Sequence, residues 1–92
     1  ADEKQYNFWD TLGVILTSRG KFDEAEAALK KAVSLFADDF GVQVHLAELY
    51  EKKGDVRRAA TLAEDLLERA ARLAPDDRET LRQMVKQNSM QP

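Results

Sequence analysis

The chain contains no cysteine. That absence excludes disulfides, thiolate zinc sites and cysteine nucleophiles, and it fits a reducing or an oxidising compartment equally well. Proline occurs twice and glycine four times in 92 residues, so helical stretches meet few breakers and sheet is not expected. No apolar run approaches the ~18 residues of a membrane span, and no basic start followed by an apolar stretch marks a signal peptide. A soluble chain without membrane insertion follows, with a cytoplasmic location slightly ahead of a periplasmic or other exported one. Charge of one sign is also missing: 14 basic and 17 acidic residues are scattered along the chain, giving a net charge of -3. Nucleic-acid binding by bulk charge is thereby disfavoured.

The chemistry of catalysis is equally sparse. His45 is the sole histidine, whereas a zinc site normally needs three or four nitrogen, sulfur or oxygen ligands, so His45 reads as a helix-surface residue. Asp38-Asp39 and Asp76-Asp77 lack the alternating ligands of a calcium loop and read as helix caps. No glycine-rich phosphate loop, nucleophile elbow or Ser/His/Asp arrangement is found. No enzyme activity, metal or cofactor is expected. What is present, 43% hydrophobic and 34% charged residues in 10.4 kDa, describes one folded domain of modest stability spanning residues 1–92.

Glycine and proline divide the chain into five helical stretches at Gly20, Gly41, Gly54 and Pro75. In the first, Trp9, Leu12, Gly13 and Leu16 recur at i, i+3, i+4 and i+7, and Ile15 widens that face. The second opens at Asp23, with Glu26 three residues on in a capping-box spacing, and buries Ala25, Leu29, Ala32, Val33 and Leu35/Phe36. The third places Val42, Leu46, Ala47, Leu49 and Tyr50 on one face and stops at Gly54. The fourth is expected from Asp55 to Ala74, burying Val56, Ala59, Ala63, Leu66/Leu67, Ala70 and Leu73. The fifth follows Pro75 with an Asp76-to-Glu79 cap and a core face of Leu81, Met84 and Val85, and residues 88–92 should fray. Glu26/Lys30, Glu48/Lys52, Asp65/Arg69 and Glu68/Arg72 stand at i, i+4 and read as solvated ion pairs.

Subtracting equivalent positions exposes a repeat. Leu12 to Leu46, Gly13 to Ala47, Leu16 to Tyr50, Gly20 to Gly54, Phe22 to Val56 and Ala25 to Ala59 are all 34 residues apart. Further on the spacing becomes 38, as in Leu29 to Leu67, Leu35 to Leu73, Asp39 to Asp77 and Leu46 to Met84. A four-residue insertion within the fourth helix is the simplest account, since it adds one turn and about 40° of drift.

The run Trp9-x-x-Leu12-Gly13-x-x-Leu16, followed by Gly20-x-Phe22-x-x-Ala25, Leu29, Ala32 and Leu35, resembles the tetratricopeptide repeat. The second copy is looser, with Gln43 where tryptophan is common, and the first departs at Ala37, where proline is usual, and at Phe36. The resemblance implies an all-α solenoid of five helices: repeat one over 6–39, repeat two over 40–77 with the insertion in its second helix, and a capping helix over 77–88. It makes Trp9 the filler between two helices and Gly13 and Ala25 the small residues at their crossing.

In such arrays the first helix of each pair lines a concave groove. The resemblance places Asn7, Asp10, Val14 and Thr17 there, continued by Val44, Glu48 and Glu51 and then by Glu79, Arg82 and Lys86. Val14 and Val44 would form an apolar floor for a protein or peptide partner. The family's carboxylate clamp is not reproduced, because Asp10 and Val14 occupy clamp places. At the N-terminal end Tyr6 and Phe8 crowd the first helix and form an association surface, for a homodimer or for upstream repeats of a longer array. The expected function is protein–protein interaction through the groove, or, with the groove idle, structural assembly.

Overall fold

The computed structural model describes residues 3–69 and 72–90. Among the described residues five helices follow one another: α1 (Glu3–Ser18), α2 (Phe22–Leu35), α3 (Phe40–Lys53), α4 (Val56–Arg69) and α5 (Pro75–Ser89). Among the described residues there is no strand. Consecutive helices pack on each other, α1 and α5 both reach α3, and the thinnest extent of the molecule is 18 Å, the depth of two helix layers.

The 34-residue period holds at the level of individual hydrogen bonds. Lys21 N donates to Leu16 O at 3.0 Å and Asp55 N to Tyr50 O at 2.9 Å, while Gly20 N reaches Thr17 O and Gly54 N reaches Glu51 O, both at 3.1 Å. Gly20 and Gly54 carry positive φ of 76° and 92°, the left-handed residue that closes a helix C-terminus in this bonding pattern. Small residues then let the pairs approach: Ala25, Ala32, Ala47, Ala59 and Ala63 are at most 1% exposed. A Cβ on Gly13 would lie 2.5 Å from both Leu29 Cγ and Leu29 Cδ2, which places the α1–α2 crossing where the spacing predicts it. Leu29, Leu49, Leu66, Leu81 and Met84 form the interior of one continuous cluster, so the core face expected for α5 is also found.

Several sequence expectations need correction. α4 ends at Arg69, Arg72 stands in a turn and Leu73 and Ala74 lie outside any helix, so the fourth helix does not run on to Ala74; Ala70 lies outside the described residues. α2 and α4 have equal length and are offset by 34 at both ends, and Ala63 and Leu66 are buried where Leu29 and Ala32 are in α2. The insertion is therefore not within the described part of α4. α5 begins at Pro75, 35 residues beyond the start of α3, because proline at the first helical position and the turn at Arg72 set its start. Helix α5 also continues through Asn88 to Ser89 instead of fraying there; Gln91 and Pro92 lie outside the described residues.

Two caps differ as well. Lys21, and not Asp23, is the N-cap of α2, without a side-chain cap bond, and Ala74 caps α5. Asp39 does cap α3, accepting from Gly41 N at 3.0 Å, and Asp55 accepts from Arg58 N at the start of α4. Asp23, Glu24, Asp76 and Asp77 instead occupy first turns, where negative charge meets the positive end of the helix dipole.

Candidate functional site

Helices α1 and α3 run side by side and enclose a cleft of about 180 Å³ lined by Val14, Thr17, His45, Glu48 and Lys52. Its upper edge is tied by Asp10, whose Oδ1 lies 2.7 Å from His45 Nδ1. With Asp10 ionised, Nδ1–H donates to the carboxylate and the other ring nitrogen, Nε2, is left as a hydrogen-bonding group. Val14 is 42% exposed and supplies apolar surface. Among the described residues Glu48 and Lys52 make neither a side-chain hydrogen bond nor an ion pair, although they stand at i, i+4, and so does the Glu68/Arg72 pair fail to form. Opposite charges thus stand uncommitted beside an apolar patch, an arrangement that can orient a bound chain as well as anchor it.

The expected groove residues divide. Asp10, Val14, Thr17 and Glu48 are brought together at this cleft. Thr17 is only 7% exposed, and its hydroxyl is used locally, donating to Gly13 O at 2.7 Å. Val44 does not form part of an exposed floor. It is 2% exposed and belongs to the buried cluster with Leu81 and Met84, because α5 packs on α3 and α4. Asn7 sits at the opposite end of α1, beside Tyr6, Phe36 and Asp39. Glu51 is half-buried outside the cleft, and Glu79, Arg82 and Lys86 lie exposed on α5, with Arg82 3.8 Å from Glu79.

His45 and Lys52 were not among the expected groove residues. The signal was in the spacing, since His45, Glu48 and Lys52 stand at i, i+3 and i+7 and share one stripe of α3. Tyr6 also departs from expectation. Its ring packs 5.2 Å from that of Phe36, its hydroxyl donates to Asp39 Oδ2 at 2.6 Å, and it is half-buried at the repeat junction, not displayed as an association surface. Phe8 is displayed, at 60% exposure, with its ring edge-on to Trp9.

A second polar cluster lies away from the cleft. Glu26 on α2 accepts from Tyr50 of α3 at 3.1 Å, pairs with Lys30 at 2.9 Å, and lies 3.6 Å from Lys53 and from Arg58, whose guanidinium stacks over the Tyr50 ring. The Lys30 ammonium bonded to Glu26 holds its carboxyl below the ordinary glutamate value despite burial, with Tyr50 and Lys53 adding to the effect. Burial raises the Tyr50 phenol, and the Glu26 charge raises it further. Glu26/Lys30 is therefore part of a three-helix junction and not surface decoration. Asp65/Arg69 is the solvated pair expected, Arg69 also lying over the Phe40 ring. Among the described residues no group of three or more His, Cys, Asp or Glu could hold a metal ion, and no helix is long and apolar enough to cross a membrane.

The family model described as the tetratricopeptide repeat matches residues 16–85, most of the chain and both repeat turns. The chain belongs to the tetratricopeptide repeat family. Neither the curated proteins nor the solved structures give a match. The match fits the paired turns at Gly20 and Gly54 and the five-helix order, and this tetratricopeptide repeat chain thereby joins a family of protein–protein interaction and scaffold modules.

Proposed function

We propose that this tetratricopeptide repeat module is a non-catalytic scaffold that holds an extended segment of a partner protein in the cleft between α1 and α3. One observation carries the reading: exposed Val14 stands beside uncommitted Glu48, Lys52 and the free ring nitrogen of His45, on the faces of two first helices. A small apolar side chain of the partner packs on Val14, and its polar neighbours meet Glu48 and Lys52, which set direction. Because the cleft exists in the free chain, only the partner segment has to be ordered on binding. Asn7, Glu51, Glu79, Arg82 and Lys86 lie outside the cleft and contribute at most a continuation of the surface.

Selection from a displayed library of short peptides tests the cleft. Enriched peptides should lose at least about tenfold in affinity, 1.4 kcal/mol, on Val14→Glu/Lys52→Glu while circular dichroism stays unchanged. Unchanged affinity in the folded variant refutes the cleft as the binding site. A second reading, assembly through the outer face of α1, is favoured by the exposure of Phe8 and Ile15 there, 60% and 43%.

A further inference from the structure

Helix α1 is apolar on two sides, and the fold covers one of them. Gly13 faces Leu29 of α2, and Asp10 faces His45 of α3. Phe8, Leu12 and Ile15, at i, i+4 and i+7, form a third stripe that the described residues leave largely open: Phe8 and Ile15 are 60% and 43% exposed, and Leu12 between them is half-buried. Of residues 5–18 only Asp10 is charged, in a chain that is 34% charged, so this stripe carries no charge at all. A solvated helix face in so charged a chain would not be bare; a charge-depleted apolar strip with aromatic side chains is the composition of an interface core.

Beside the stripe, in the seam between α1 and α2, a shallow hollow is floored by Trp9, Leu12 and Leu16 and edged by Glu24 and Lys31. These two charges are exposed, make no ion pair among the described residues, and stand seven residues apart on α2, about 10 Å along its axis. Their signs are opposite. A patch with an apolar centre and one charge of each sign at its two ends is complementary to its own copy turned through 180°.

We propose that this face docks a second copy of the chain, with the two α1 helices antiparallel across a two-fold axis and Glu24 of each protomer facing Lys31 of the partner subunit. Removing Phe8, Leu12 and Ile15 from water drives the association, and the two reciprocal charge pairs fix its register. The inference deepens the assembly reading and is independent of the cleft, because Phe8 and Ile15 do not line the cleft and peptide binding by a monomeric variant would report on the cleft alone.

Sedimentation equilibrium of the chain over a micromolar to millimolar series, with circular dichroism in parallel, tests the proposal. The parent should show a monomer–dimer equilibrium, and Phe8→Glu/Ile15→Glu should be monomeric throughout with unchanged helicity. Glu24→Lys and Lys31→Glu, each alone, oppose like charges twice across the axis and should weaken the dimer severalfold. Combined in one chain they restore opposite signs and should return the parent's dissociation constant. A parent that is monomeric at every concentration overturns the proposal and leaves the face to another occupant, an adjoining helical segment or a different protein. Association that survives Phe8→Glu/Ile15→Glu overturns it too, and a charge-swapped chain no tighter than the single variants refutes the antiparallel register.

Discussion

Replacing Gly13 puts carbon where the helices already touch. The first added atom, Cβ, would stand 2.5 Å from Leu29 Cγ and Cδ2 and 3.4 Å from Ala25 O. Non-bonded carbons prefer about 3.5–4.0 Å, so Leu29 would have to retreat by about 1 Å. Leu29 is 0% exposed and sits in the core cluster, so its retreat presses on packed neighbours and tends to push α1 and α2 apart. Overpacking of this kind costs about 1–3 kcal/mol, and alanine's better helix propensity offsets ~1 kcal/mol of it, so Gly13→Ala should lose between roughly 0 and 2 kcal/mol. Gly13→Leu adds three more carbons to the same crossing and should lose ~3 kcal/mol or more. Against a total of roughly 5–14 kcal/mol for a chain this size, that is a large share. At about 4–8 °C per kcal/mol, the melting temperature should fall by roughly 12–24 °C.

Thermal melting followed by circular dichroism measures this loss, and a double-mutant cycle assigns its cause. Leu29→Ala alone opens a cavity worth about 2–5 kcal/mol. In Gly13→Ala/Leu29→Ala the new Cβ no longer meets Leu29 Cγ or Cδ2, so the pair should lose less than the sum of the singles by ~1 kcal/mol. Additivity within ~0.5 kcal/mol, or a Gly13→Leu chain melting within a degree or two of the parent, would refute the close crossing.

The burial of Val44 and of Glu26 sets two further outcomes. Val44→Glu should unfold the chain or destabilise it by at least ~3 kcal/mol, since an unpaired carboxylate would be buried in the cluster, whereas Val14→Glu in the open cleft should stay within ~0.5 kcal/mol of the parent in urea denaturation. Glu26, with its carboxyl held low mainly by Lys30, contributes stability that is present above the unfolded value of ~4.3 and lost as pH falls through the lower folded value. The stability gap between parent and Glu26→Gln should therefore shrink on acidification below about pH 4, and a gap that stays constant down to pH 3 would show that the junction does not depend on the Glu26 charge.

The number of helices, their order and the two equivalent turns were legible in the sequence because each depends on short-range spacing. Apolar residues at i, i+3, i+4 and i+7 select one helix face, and a glycine at the end of such a run closes it, as Gly20 and Gly54 do. The 34-residue period even paired Gly13 with its crossing helix, since a repeat carries its own neighbour with it. Val44 was out of reach of that reasoning. Its exposure depends on how α5 settles against α3 and α4, and no local pattern around Val44 encodes the approach of a helix beginning 31 residues later. Charged and polar residues were harder still, because a glutamate at i, i+4 from a lysine looks solvated in sequence whether or not another helix covers it. Packing alone made Glu26 the junction of α2, α3 and α4, turned Tyr6 inward onto Asp39, and brought Asp10 to His45 across 35 residues. Periodicity sets which side of a helix is buried, but only the assembled layers decide which polar atoms then find each other, since those partners lie far apart along the chain.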